Sequence, residues 1–304
     1  MSTPVNSGPE VRSTPAVEIS KGRVFLWCVR REIWENRSIY LVPLVSAVVF
    51  LVSFLVHTII VRYRMHGVWP ADPGKQLEMF PVAHDAAAAL IMGTAFLVGI
   101  FYSLESLYGE RRDRSILFWK SMPVSDLMTV LAKVTVPAAI LPLLSFVITV
   151  VTQWMMLLFS MLILLGSGLS AATIWTHSSA FHDSLIMLYH IVTVHGLWYA
   201  PFYGWLLFIS AWAPRAPFIW AFLPPFVVCG VEKLAFNTTH CLELLQNRLM
   251  GPSVPAAHNA PVMQVMASLG PLEFLSLPGL WIGLAIAAAF LFAAVRLRRS
   301  RGPV

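Results

Sequence analysis

Six long apolar runs alternate with short polar stretches along the chain, at about 39–61, 86–107, 137–165, 191–212, 218–234 and 275–295. A helix crosses the hydrocarbon of a bilayer in roughly 17–25 predominantly apolar residues. Each run therefore predicts a transmembrane helix. The expected fold class is an all-α polytopic membrane protein, with a six-helix transmembrane domain over 39–301.

The intervening stretches predict the remaining elements. Lys21 to Arg37 carries Phe25, Leu26, Val29 and Ile33 at helical spacing, with Arg23, Arg30 and Arg37 around them and Trp27 and Trp34 suited to a lipid interface. This reads as an amphipathic helix on the membrane surface over 21–38, or as an extension of the first span. Residues 1–20 are polar, rich in Pro, Ser and Thr, and lack the apolar core of a signal peptide, so a disordered tail is expected. The apolar stretch 127–169 is too long for one ordinary span. Pro137 and Pro142 favour a break near its start, and Lys133 favours water. A surface segment to Val136 followed by a span from Pro137 fits both facts; two short spans are the alternative. Ser170 to His190 reads as a loop, Pro201 and Gly204 should bend the fourth span, and Ala235 to Glu273 should form one or two short helices on the outer face.

Composition narrows the class. Of 304 residues, 58% are hydrophobic and 12% charged, against about 25% charged in soluble domains. The net charge of +6 does not point to nucleic acid, because in a membrane chain Lys and Arg set orientation. Six spans with both termini inside leave sixteen basic residues in or beside inner segments and five outside, as the positive-inside rule requires. A seven-span threading would strand Arg296, Arg298, Arg299 and Arg301 outside unless 218–234 were re-entrant.

Chemical motifs are few. The sequence has no GxxxxGK[ST] phosphate loop, no HExxH zinc pair and no GxSxG elbow. Gly166-Ser167-Gly168 follows no strand. Cys28, Cys229 and Cys241 are isolated and suggest neither a disulfide framework nor a metal pair. His177, His182, Asp183 and His190, with His195 nearby, could ligate a metal, but their spacing matches no compact motif, and no metal or cofactor is expected in this chain. Asn237-Thr238-Thr239 is a short glycosylation-like match. The aromatics Trp198, Tyr199, Phe202, Tyr203 and Trp205 read as helix packing, and Glu105 as an interfacial acid.

One polar stretch stands apart. Tyr108 to Asp126 reads YGERRDRSILFWKSMPVSD. Its charges, Glu110, Arg111, Arg112, Asp113, Arg114 and Lys120, cannot sit in hydrocarbon, and its basic residues place it inside. Gly109 can end the second span, Glu110 can begin a short helix, Pro123 stops it, and Ser125 or Asp126 can cap the next. Ile116-Leu117-Phe118-Trp119 is too short to span a membrane. It either dips into lipid, docks on another protein, or belongs to a plain topology anchor.

This order of features resembles the ABC-2-type permeases, the membrane subunits of ATP-binding-cassette exporters. The residues that carry the resemblance are Tyr108 to Arg114 running into Phe118-Trp119-Lys120-Ser121-Met122-Pro123-Val124-Ser125-Asp126, with an interfacial helix before the first span and short outer helices between the fifth and sixth. The resemblance implies a bacterial inner-membrane protein with a cytoplasmic coupling helix between spans two and three. It implies a separate ATPase chain that binds ATP and Mg, and a second permease chain, identical or related. Glu110, Arg111, Arg112 and Arg114 would make charged pairs with the ATPase, and Ile116, Phe118 and Trp119 the buried contact. A membrane-embedded enzyme or a non-transporting regulatory subunit are the alternatives.

Overall fold

The computed structural model describes residues 20–64, 73–165, 180–250 and 271–302. The expected tail up to residue 19, His177 and the proline-rich stretch 251–270 lie outside the described residues, as do the side chains of His182 and Asp183. Among the described residues every regular element is helical. They are α1 (Lys21–Glu35), α2 (Ser38–Arg64), α3 (Pro73–Arg112), α4 (Ser115–Ser121), α5 (Asp126–Thr135), a π segment (Val136–Ile140), α6 (Leu141–Leu165), α7 (Ala180–His190), a second π segment (Ile191–Trp198), α8 (Ala200–Trp212), α9 (Pro217–Phe236), α10 (His240–Met250), α11 (Pro271–Ser276) and α12 (Pro278–Ser300). Among the described residues, five helices are long and apolar enough to cross a membrane, and a sixth span results if the pair Ser184–Trp198 and Ala200–Trp212, bent by 45°, counts as one.

The third apolar stretch departs from expectation. No break occurs at Pro137. Asp126–Leu162 is one apolar helical stretch of 37 residues, about 55 Å at 1.5 Å per residue. Pro137 lacks an N–H and would crowd an α-turn. The chain meets this by widening into the π segment Val136–Ile140 with Pro137 in its first turn. The expected surface segment is thus helically continuous with the span that follows it. The fourth span differs too: Ala180–His190 is helix, not loop. Its polar ends disguise Met187, which is buried with Ala88 and Ile191. The expected bend is present, at Tyr199, with Pro201 in the first turn beyond it.

Close packing joins the spans. Gly204 of α8 lies where an added Cβ would meet the Ala287 carbonyl of α12 at 3.2 Å, the close backbone approach that small residues permit between membrane helices. Leu107, Val130, Leu207, Ala211, Ala294 and Val295 form one buried cluster from α3, α5, α8 and α12. A Ser210 hydroxyl enters the backbone ladder of α3. It donates to Leu104 O at 2.6 Å and accepts from Leu107 N at 3.0 Å and Tyr108 N at 2.9 Å.

Two faces follow from the connectivity. The near face holds the ends of α3 and α8, the start of α5 and the end of α12. Arg301 donates to Trp212 O, and Lys120 Nζ reaches the Arg299 and Arg301 carbonyls at 3.4 and 3.3 Å. The far face holds α10 and the start of α12. There Cys229 and Cys241 form a disulfide, with Cα atoms 5.2 Å apart, correcting the expectation that all three cysteines are isolated. Asn237, at φ 51°, turns the chain between them. The Glu232 carboxylate accepts from Thr238 Oγ1 at 2.7 Å, His240 N at 2.9 Å and Cys241 N at 2.8 Å, which satisfies amides at the start of α10.

Candidate functional site

The near-face turn 110–126 is built by local chemistry. α3 runs past Gly109 to Arg112, so neither the expected stop at Gly109 nor the expected helix start at Glu110 occurs. Gly109 stays helical because nothing there needs positive φ. The reversal falls on Arg114, at φ 59°. α4 ends at Ser121, and Met122 is extended, as a residue before proline prefers. Ser125 caps α5, its hydroxyl accepting from Met128 N at 3.2 Å.

Behind this turn lies a knot of buried charge. Glu32 of α1 is 1% exposed. It accepts two bonds from Lys133 Nζ of α5, at 3.0 and 3.1 Å, one from Tyr102 Oη of α3 at 2.8 Å, and pairs with its neighbour Arg31. Glu110, at the end of α3, pairs with Lys133 at 3.1 Å, Arg31 at 3.6 Å and Arg298 of α12 at 3.1 Å. Arg298 also pairs with Asp126, which Arg299 approaches at 3.7 Å. At the centre, three carboxylates (Glu32, Glu110, Asp126) face three cations (Arg31, Lys133, Arg298), so the knot is close to neutral. Four elements distant in sequence, α1, α3, α5 and α12, meet in it.

Electrostatics favour the charged forms of Glu32 and Arg31. Burial pushes the Glu32 carboxyl up, but Lys133, Arg31 and the bonds from Lys133 and Tyr102 outweigh it and hold its pKa below the ordinary 4.5. Burial lowers the Arg31 guanidinium, yet Glu32, Glu35 and Glu110 leave it above its usual value. A buried charge pair contributes little net stability when intact, but losing one partner typically costs about 3–5 kcal/mol.

The seven residues expected at a docking surface divide into two sets. Glu110 and Arg111 are buried, the first in the knot, the second donating to Ser210 O at 3.2 Å and to Ala213 O at the end of α8. Ile116 is 1% exposed and packs inside the chain. These three present no free side chain to a partner in this conformation, because the helical turn that exposes their neighbours points them inward. Arg112, Arg114 and Phe118 face outward. Arg112 pairs with Glu105 at 2.8 Å and with Asp113 at 3.0 Å, both exposed. Trp119 is half-buried, with the Arg31 guanidinium 3.8 Å from its ring centroid, a cation–π contact tying α4 to the knot. Leu117, 59% exposed, joins Phe118, 61% exposed, on the outer side of α4.

Sequence reasoning missed Glu32, Tyr102 and the pairing of Lys133, Asp126 and Arg298. The inward residues of α1 include Phe25, Val29 and Glu32, whereas Leu26 is exposed. An acid at helical spacing from Phe25 and Val29 was the available signal. Comparison with protein-family models, curated proteins and solved structures finds no match. Groups of three or more potential metal ligands are absent among the described residues.

Proposed function

We propose that this chain is the permease subunit of an ABC-2-type exporter, moved by a separate ATPase chain that docks under α4. The observation that carries the reading is the two-sidedness of 115–121. Leu117 and Phe118 are exposed on one side, while Ile116 is buried and Trp119 lies against Arg31 of the knot on the other. An exposed apolar pair on a charged turn fits a partner's pocket. The knot behind it ties that turn to the interfacial helix and to the second, third and sixth spans, so a push there moves helices as bodies.

The far-face disulfide supports an orientation with the near face inside, since disulfides persist in oxidising compartments. On this reading the termini are cytoplasmic, the membrane is the bacterial inner membrane, and a second permease chain, identical or related, completes the path. ATP and Mg sit in the partner. The test is co-purification of the ATPase with the Leu117→Asp/Phe118→Asp double variant. Loss of the ATPase with normal membrane insertion is expected. Retention of the ATPase at wild-type yield would refute the docking role.

A further inference from the structure

The apolar side of α1 packs on the chain itself. Val29 and Glu32 are buried and Phe25 is half-buried, and the helix runs along α5. What α1 turns outward is Arg23, Trp27, Arg30 and Trp34, all exposed. Each is three or four positions from the next, which puts them on one stripe of a helix. Trp27 is 57% and Trp34 67% exposed. Leu26 beside them is exposed, and so is Arg37 in the turn to α2. The Arg30 guanidinium lies 4.5 Å from the Trp34 ring centroid. Trp27, Arg30, Arg31, Trp34 and Glu35 line a groove of about 520 Å³.

Position and chemistry both bear on what this stripe meets. Only Asn36 and Arg37 separate α1 from α2, whose first residues begin a candidate span. Tyr40, Leu41, Leu44 and Val45, at the start of that span, are exposed, as lipid-facing side chains are. α1 therefore lies at the level where headgroups meet hydrocarbon. An indole in open water leaves a large apolar surface hydrated; among headgroups its ring meets carbon and its N–H meets polar atoms. The acids of α1 are already engaged, Glu32 with Lys133 at 3.0 Å and Glu35 with Arg31 at 3.5 Å. The outward charge of the stripe is thus that of its arginines, and guanidinium groups match phosphate oxygens.

We infer that Arg23, Trp27, Arg30 and Trp34 of α1, together with Arg37, form a docking surface for anionic lipid headgroups. The guanidinium groups take the lipid phosphates, and the two indoles anchor the helix at the base of the headgroups. A choline headgroup carries its own ammonium and gains less from the arginines. Each arginine beside an anionic surface gives about a five-fold preference for it. Arg31, on the flank of the groove, also reaches Glu110 at 3.6 Å and the Trp119 ring at 3.8 Å. Headgroups held on α1 thus lie beside the side chain that ties α4 to the knot.

The experiment uses the full chain reconstituted in phosphatidylcholine vesicles. A rising share of the lipid is replaced by phosphatidylglycerol or phosphatidylcholine brominated near the headgroup end of its chains, which quenches nearby indoles. Subtracting the signal of the Trp27→Phe/Trp34→Phe variant leaves the quenching of those two residues. Half-maximal quenching should need at least about five-fold less of the anionic lipid than of the choline lipid. The triple variant Arg23→Gln/Arg30→Gln/Arg37→Gln, read against the same double tryptophan substitution, should remove that difference, and added salt should narrow it. Should the triple variant fail to fold, Arg30→Gln alone should narrow the difference as well. Equal requirements for the two lipids in the wild type would overturn the inference, as would a difference that survives in the folded variants. Absence of any quenching of Trp27 and Trp34 would overturn it too, and would leave the face to a protein partner. Because these readouts need no ATPase, their failure is separable from failure of the docking proposal.

Discussion

The two ends of α12 treat arginine in opposite ways. At its C-terminal end Arg298, 5% exposed, meets Glu110 and Asp126, and the helix dipole there favours a cation. At its N-terminal end Arg248 meets one carbonyl and the face of Trp198, and the dipole opposes it. Charge therefore fastens helices at the near face, whereas at the far face, among the described residues, an arginine rests on an aromatic ring and one carbonyl without a carboxylate partner.

The largest test of this contrast removes one partner from the knot. Arg298→Gln or Glu110→Gln should lower unfolding stability by about 3–5 kcal/mol, measured by thermal or denaturant unfolding in detergent. Replacing Glu32 and Lys133 together by apolar residues should cost much less than either single change, since the double variant leaves no orphaned partner of that pair; a double-variant cycle would show it. Arg248→Gln should change stability by less than about 1 kcal/mol, because a cation–π contact is lost while a partly desolvated charge is relieved. A large loss there would mean that Arg248 is fastened as firmly as Arg298.

Acid should distinguish the ends as well. The Glu32 carboxyl is held below 4.5, so its stabilising share is fully present above the unfolded value and is lost as pH falls through the folded one. Near-face separation, followed by quenching of Trp119, should set in below about pH 4.5, and Glu32→Gln should flatten that dependence. Smallest of all, Arg112→Ala should cost at most about 1 kcal/mol, since its pairs with Glu105 and Asp113 are exposed.

Much of the scaffold is legible in the sequence, because hydrocarbon thickness is read directly as run length. All six apolar runs lie on helices, the bend near Pro201 occurs, and Ser125 caps as expected. What was hidden has one physical cause. The sequence shows that charges crowd into 110–126 but not which way each points. That depends on partners far along the chain: Lys133 lies 101 positions from Glu32, and Arg298 lies 188 from Glu110. Glu110, Arg111 and Ile116 turn inward for that reason, while Leu117 and Phe118 face outward. Likewise Cys229 and Cys241 meet because Asn237 reverses the chain between two helices, and the π segment at Pro137 replaces the break that Pro137 and Pro142 lead one to expect.

The unbroken stretch from Asp126 to Leu162 has a mechanical meaning. It is gripped at its near end by Lys133 and Asp126 and softened just above the grip, where the wide turn at Pro137 weakens the regular ladder. A small rotation imposed below that joint would swing the distant end through a larger arc, as a lever does about its fulcrum. Helical stiffness in Leu141–Leu165 would then set how far its distant end travels for a given rotation below the joint.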